Sequence, residues 1–397
     1  MRSLAETIRI FFGVIILGCG IVTALPQPVA GQCGQAATVP LAADLPLLQD
    51  DLGYESLAPA IDRSVHYLRQ LPQEKTFVLC GEEYSVGWLI ESLLAFQRII
   101  EEKPSPQALT AILKKQFTLC QAAGRPSDHR MFLTGYFEPL FKASLTKTAT
   151  YRYPLYRKPP DLVSSPGGKG RGKKTGRMKN GSLVPYPTRA EIEKGQLLAG
   201  QELAFLADPV DAFILHIQGS GRIQLADGSL RRVQFAAKNG HAYRSLGRLL
   251  VEKGVMRREE ATLPRIVRYL KEHPEEQEAI LLHNDSFVFF RWGDDSAIGP
   301  LGCLGEPLTP GRSVAIDQDC FPPGSLAFLT TRKPRVNAAG EIIGWEPLSR
   351  FVVNQDSGSA ITGAGRLDLF WGGGRYAEVA AGNMKHPGAL YFLVKKK

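Results

Sequence analysis

Three aspartates near the C-terminal end, Asp317, Asp356 and Asp368, occupy settings that could bring carboxylates together. They lie in SVAIDQDCFPPGS (Ser313 to Ser325), FVVNQDSGSAITG (Phe351 to Gly363) and RLDLFWGGG (Arg366 to Gly374). The first two follow β-branched or apolar runs and lead into Gly, Pro or Ser, which marks strand ends entering turns. The third stands inside a short alternating run, with Arg366, Asp368 and Phe370 on one face and Leu367, Leu369 and Trp371 on the other. Aspartate is a poor strand former, so its presence there needs a reason. A carboxyl held on a strand and walled by Phe370 and Trp371 loses water, and lost hydration raises its pKa. That suits a general acid working near neutral pH. Each residue also has a plainer alternative. Asp317 and Asp356 could cap turns by accepting backbone N–H groups, and Asp368 could pair with Arg366 on its own strand face.

Two textures supply the elements that would position these groups. Before Gly135 the pattern is helical: Leu57, Ile61, Val65 and Leu68 form an apolar stripe, as do Leu89, Leu93, Phe96 and Ile100, with Leu109, Leu113 and Phe117 as a third. After Gly135 short alternating runs with Pro and Gly indicate β-structure. AFILHIQGSGRIQL reads as a hairpin turning at Gly219 to Gly221, which puts His216 on a strand as a structural residue. SFVFFRW (Ser286 to Trp292) reads as another strand. Helices interrupt near Ala242 to Glu252 and Leu263 to Lys271, with Pro264 suited to a first helical turn. The expected class is α+β with β dominant.

The 397 residues suffice for two domains, and 44% hydrophobic with 22% charged content is that of a folded chain. Arg2 and Arg9 precede the apolar run Ile10 to Leu25, the layout of a secretory signal and too short for an ordinary membrane span. Export to an oxidising compartment follows, where Cys80 with Cys120 and Cys303 with Cys320 are plausible disulfides by location. No cysteine pair has metal-ligand spacing, and no histidine is placed to activate a thiol. Much of the formal net charge of +9 sits in Ser164 to Ser182, which holds six basic residues and no acid. Without interleaved aromatics for base stacking this is not a nucleic-acid site. It reads as a surface loop between β-segments.

The chain also resembles a known family, the membrane-bound lytic murein transglycosylase A family. The resemblance rests on an ordered set: GYFEPLFKAS (Gly135 to Ser144), YPLYRKPPDL (Tyr153 to Leu162), PYPTRAEIEKG (Pro185 to Gly195), LADPVDAFILHIQGSGRIQLADGS (Leu206 to Ser229), AAKNGHAYRSLGRLL (Ala236 to Leu250) and the three-aspartate tail. It implies a double-psi β-barrel carrying the aspartates, an inserted β-rich domain and a glycan groove between them. The corresponding division is 1–30 as signal peptide or membrane anchor, 31–145 as the helical part of the barrel domain, 146–294 as the insert and 295–397 as the aspartate-bearing part. Ile16 to Cys19 resembles a lipoprotein processing site, although apolar residues continue past Cys19.

The activity implied is cleavage of peptidoglycan between N-acetylmuramic acid and N-acetylglucosamine, leaving 1,6-anhydro ends, in the periplasm or at the outer membrane. Asp368 matches the acid/base position, with Asp356 and Asp317 orienting it or tuning its pKa; the order between Asp368 and Asp356 stays open. A lytic reaction uses the sugar's own 6-hydroxyl as nucleophile, so one carboxyl can serve as acid and then as base without metal or cofactor. Candidate sugar contacts are Tyr136, Gln218, Ser220 and Asn239, with ordinary turn chemistry or core packing as their alternatives. The expected partner is the glycan strand, met by a monomer. Two other readings remain: a two-carboxylate hydrolase and a wall-binding module without catalysis.

Overall fold

A computed structural model describes residues 37–41, 45–165, 174–195, 197–358 and 360–397. The proposed signal region, with Cys19 and Cys33, lies outside them, and no described helix is long and apolar enough to cross a membrane.

The helices Leu57–Arg69, Val86–Glu101 and Pro106–Gln116 form where the apolar stripes place them. Ser85 and Ser105 cap the second and third by accepting the N–H groups of Trp88 and Ala108. Phe117 departs from the expected stripe: it opens the strand Phe117–Ala122, and its ring meets Phe96 edge-on. Their apolar faces join one core with the main sheet. Cys80 and Cys120 are disulfide-bonded, as their locations suggested. Cys303 is a free thiol while Cys320 is disulfide-bonded, so these two are not partners of each other.

Six strands of the main sheet close on themselves, in the order His386–Lys395, Leu326–Val336, Ile342–Asp356, Ser313–Ala315, Arg366–Gly373 and Met131–Glu138, with the last pairing back to the first. Two pairings within this ring are parallel, Ser313–Ala315 with Ile342–Asp356 and Arg366–Gly373 with Met131–Glu138. This is the double-psi barrel that the family resemblance implied. Closure leaves no free edge in the ring.

A second six-stranded sheet runs Val288–Trp292, Leu230–Lys238, Ser220–Gln224, Leu140–Ser144, Glu202–Leu206 and Tyr153–Tyr156. A parallel bridge from Arg157 to Phe290 draws its two outer strands together. This sheet begins with Leu140–Ser144, a few residues before the boundary expected at 146.

Two sequence expectations fail here. The segment read as the first arm of a hairpin is the helix Pro209–Gln218. Asp208 caps it by accepting the Val210 N–H, Pro209 begins it, and Gly219, at φ +77°, ends it. Because Val210, Ala212, Phe213, Ile214, Leu215 and His216 are all buried, its apolar run lacks the one-sided periodicity of a surface helix. The basic stretch is not a loop throughout either. Lys174–Lys179 is the middle strand of a three-stranded sheet with Leu162–Ser165 and Ser182–Pro185.

Candidate active site

Register in the barrel brings two of the three aspartates level. Ala315 is the partner of Asp356 on one side and of Asp368 on the other, and Asp368 is in turn the partner of Thr134. Asp356, Ala315, Asp368 and Thr134 therefore form one row across four strands, and Tyr136 follows Thr134 on the same face two residues on. The residue before Asp356 is tightly held. Gln355 is buried, donates from Nε2 to Ala60 O at 2.7 Å and Ser64 Oγ at 3.0 Å, and accepts from Ser313 Oγ at 2.6 Å. The helix Leu57–Arg69 thus fixes the strand end from which Asp356 projects.

Asp356 Oδ1 accepts the backbone N–H groups of Cys303 at 3.0 Å and Ser357 at 2.9 Å, and Oδ2 accepts the Tyr136 hydroxyl at 2.8 Å. Burial pushes this carboxyl up to about 6, and the charge of Asp368 adds to it, while those three donors oppose the rise. Tyr136 is raised well above the usual phenol range by burial and then by the charge of Asp356, so it stays a donor. Its ring packs against Phe370 with centroids 5.1 Å apart. Asp368 Oδ1 accepts from Thr134 Oγ1 and, at 3.3 Å, from Arg366. Its Oδ2 has no protein partner among the described residues. Burial raises the Asp368 carboxyl as well, with Arg366 and Thr134 drawing it back. The same-face pairing with Arg366 is present, though Arg366 is shared with Phe132 O and Thr134 Oγ1.

The raised Asp356 carboxyl has a consequence for stability. Its folded pKa of about 6 exceeds the ordinary aspartate value of 3.8, so the native state holds this proton more tightly than the unfolded chain. The resulting stabilisation is complete below about pH 4 and is lost as pH rises through about 6. Replacing Asp356 by Asn should flatten that window. We expect the wild type, relative to the variant, to gain on the order of 1–3 kcal/mol between pH 7.5 and 4.5 in urea denaturation. Parallel curves for the two proteins would contradict the assignment.

Asp356, Asp368, Tyr136, Gln218 and Ser220 all line one cavity of about 1280 Å³. Gln218 ends the helix Pro209–Gln218 and Ser220 opens the next strand, so Gly219 aims both at the cavity. Gln218 Oε1 accepts the Phe137 N–H at 3.0 Å, tying the second sheet to the Tyr136 strand and leaving Nε2 for a ligand. The opposite wall includes Leu203, Phe235, Val288, Phe290 and Trp292.

Asn239 and Asp317 fall elsewhere. Asn239 is buried and saturated: it donates to Pro187 O and Asp285 O and accepts from Phe287 N and His241 N, so it stitches loops together and does not line the cavity. Asp317 does not line it either. It accepts the Asp319 N–H, as a turn cap does, and the Gly363 N–H at 2.6 Å, which pins the connection between the Asp356 and Asp368 strands. Phe370 and Trp371 are core residues and not cavity walls. His216 Nδ1 lies 3.2 Å from Arg189 and accepts the Val288 N–H at 3.3 Å. Facing two donors, that nitrogen is unprotonated, and burial followed by the Arg189 charge holds His216 well below its usual pKa. It is structural. The free Cys303 thiol, pushed up to about 11 by desolvation and then by Asp356, stays protonated near neutral pH and is no nucleophile. Sequence reasoning missed Thr134 and the Cys303 N–H as partners of the carboxyls. It also read Trp292 only as part of a strand.

A double-psi barrel with a second β-sheet inserted beside it and paired carboxyls in the shared cavity defines the class. The family model described as the MltA specific insert domain matches residues 132–291, and that of the 3D domain matches 312–394. Membrane-bound lytic murein transglycosylase A of Escherichia coli (strain K12) is 34% identical over 276 residues, covering 69% of this chain and 68% of that protein. Its counterpart in Vibrio cholerae is 33% identical over 277 residues, with the same shares. Among solved structures, membrane-bound lytic murein transglycosylase from Agrobacterium tumefaciens superposes with a TM-score of 0.72 at 30% identity, covering 89% of this chain and 95% of that one. E. coli MltA with bound chitohexaose gives 0.67 at 26% identity, with 93% and 98% covered. The chain belongs to the membrane-bound lytic murein transglycosylase A family.

Proposed function

We propose that this protein is a peptidoglycan lytic transglycosylase that cleaves the β-1,4 bond between N-acetylmuramic acid and N-acetylglucosamine, with Asp368 as its acid/base. The observation that carries this assignment is the contrast between the two carboxyls. Both oxygens of Asp356 are occupied by donors, whereas Oδ2 of cavity-lining Asp368 is open. Burial favours a proton on Asp368, and its open oxygen is the one a glycosidic oxygen can reach. Asp368 gives this proton to the glycosidic oxygen as the bond to the muramyl C1 breaks. The muramyl 6-hydroxyl then attacks C1, and its proton returns to Asp368, closing the 1,6-anhydro ring. No water is consumed, and the acid is regenerated. The negative Asp356, steadied by Tyr136, stabilises positive charge developing at C1.

The bound chitohexaose of the E. coli relative supports a glycan-binding cavity. The relatives' membrane-bound naming and the basic–apolar N-terminus support an exported, envelope-associated protein. Digestion of purified peptidoglycan followed by mass analysis of the sugar ends tests the activity. Anhydro ends support the proposal, reducing ends would assign a hydrolase, and uncut bound glycan would assign a binding protein. The hydrolase draws support from the coupling of two raised carboxyls in one cavity.

The groove makes its own prediction. Replacing Gln218 by Ala or by Glu removes the free amide donor, and each should weaken glycan binding by about 0.5–1.5 kcal/mol in calorimetry. Glu keeps an acceptor for the Phe137 N–H, so only the Ala variant should also lose thermal stability. Unaltered glycan affinity in both variants would remove Gln218 from the groove.

A further inference from the structure

The cavity is lopsided in charge. Its acids among the described residues are Asp356 and Asp368, both on the barrel side. Four cations, Arg157, Lys158, Lys238 and Arg291, line it from the second sheet. Backbone register gathers them: Arg157 bridges Phe290, the neighbour of Arg291, and Lys238 is the partner of Val288 on the same strand as Arg291. None forms an ion pair or side-chain hydrogen bond with a described residue, although many other arginines of this chain are paired. Lys238 is half-buried with no carboxylate beside it, and burial lowers its pKa. A partly desolvated cation without a counter-ion costs free energy unless an anion arrives from outside.

We infer that this wall of the second sheet binds the free carboxylates of the stem peptides, so that the substrate is the peptide-bearing glycan strand. The inference rests on the peptidoglycan reading above. In intact strands the lactyl carboxyl of the muramyl sugar is tied up in an amide, so the free carboxylates lie on the peptides. The strand would then sit with its glycosidic bond at Asp368 and its peptides turned toward the four cations. The uncharged sugar backbone gives these cations no partner.

The test compares native peptide-bearing strands with the same strands whose carboxyls have been converted to amides, which removes charge at nearly constant size. Binding is measured with the Asp368→Asn protein, so that cleavage plays no part. We expect native strands to bind about fivefold to thirtyfold more tightly at low salt, the sum of several exposed ion pairs. That preference should shrink below about twofold in 0.5 M salt. In a Lys158→Gln, Arg291→Gln protein, altered only at exposed positions, it should shrink as well. Equal binding of the two strands by the parent, or a preference that survives loss of both cations, would overturn the inference. Wild-type protein that releases no anhydro ends from native strands would instead overturn the enzymatic reading, with the binding comparison still deciding the role of the wall.

Discussion

Asp368→Asn is expected to leave a folded protein that holds glycan and no longer cuts it. Asn matches the size of Asp and can still accept from Thr134 and Arg366, so the local row of side chains survives. It cannot supply an acidic proton, and removal of general acid catalysis lowers turnover by about 10²–10⁴-fold. Release of anhydro products from purified peptidoglycan reads the loss, and strand retention by the variant shows that binding persists. Asp356→Asn is the companion measurement. It should lower turnover less, because Asn keeps an acceptor for the Cys303 and Ser357 N–H groups. If Asp356→Asn were the inactive variant and Asp368→Asn retained turnover, the roles would exchange.

The largest effect on stability is expected at a pair that does not line the cavity. Arg312 and Asp50 form a bidentate pair at 2.6 and 3.0 Å, with side chains 0% and 1% exposed. Arg312 also donates to Ser56 Oγ and to the carbonyls of Phe351 and Gly53, and Asp50 accepts the Phe351 N–H. The pair binds the irregular segment around residue 50 to the barrel. Truncation by Asp50→Ala strands a buried guanidinium, a change that costs about 3–5 kcal/mol. Urea denaturation of wild type and variant at neutral pH measures the cost. A loss below about 1 kcal/mol would mean that the segment relaxes and lets water reach Arg312.

Legibility of the fold in the sequence followed local signals. The stripes at Leu57 and Leu89 marked helices because each buries one face against the barrel. The segment at Phe213 misled because its helix is buried on several faces, and its true markers were Asp208, Pro209 and Gly219, with no help from hydrophobic alternation. Asp368 stood out because no turn could account for it. What was hidden was register: nothing local reveals that Ala315 lies between Asp356 and Asp368, or that Thr134 completes their row. Asn239 looked suited to a sugar and Asp317 to orienting the acid, and only the backbone groups around them reveal that their hydrogen bonds are spent elsewhere in the protein.

Barrel closure has a consequence for when this protein can act. The strand carrying Asp368 pairs with Met131–Glu138, whose other side is sealed by His386–Lys395. A chain interrupted before residue 386 would contain both carboxyls and the whole second sheet, yet its ring would be open. The closing contacts join residues more than 250 positions apart, so they form late relative to local structure. For a lytic transglycosylase, an unfinished copy would carry the two carboxyls without the closed ring that holds their strands in place. The ring closes only when His386–Lys395 is in place.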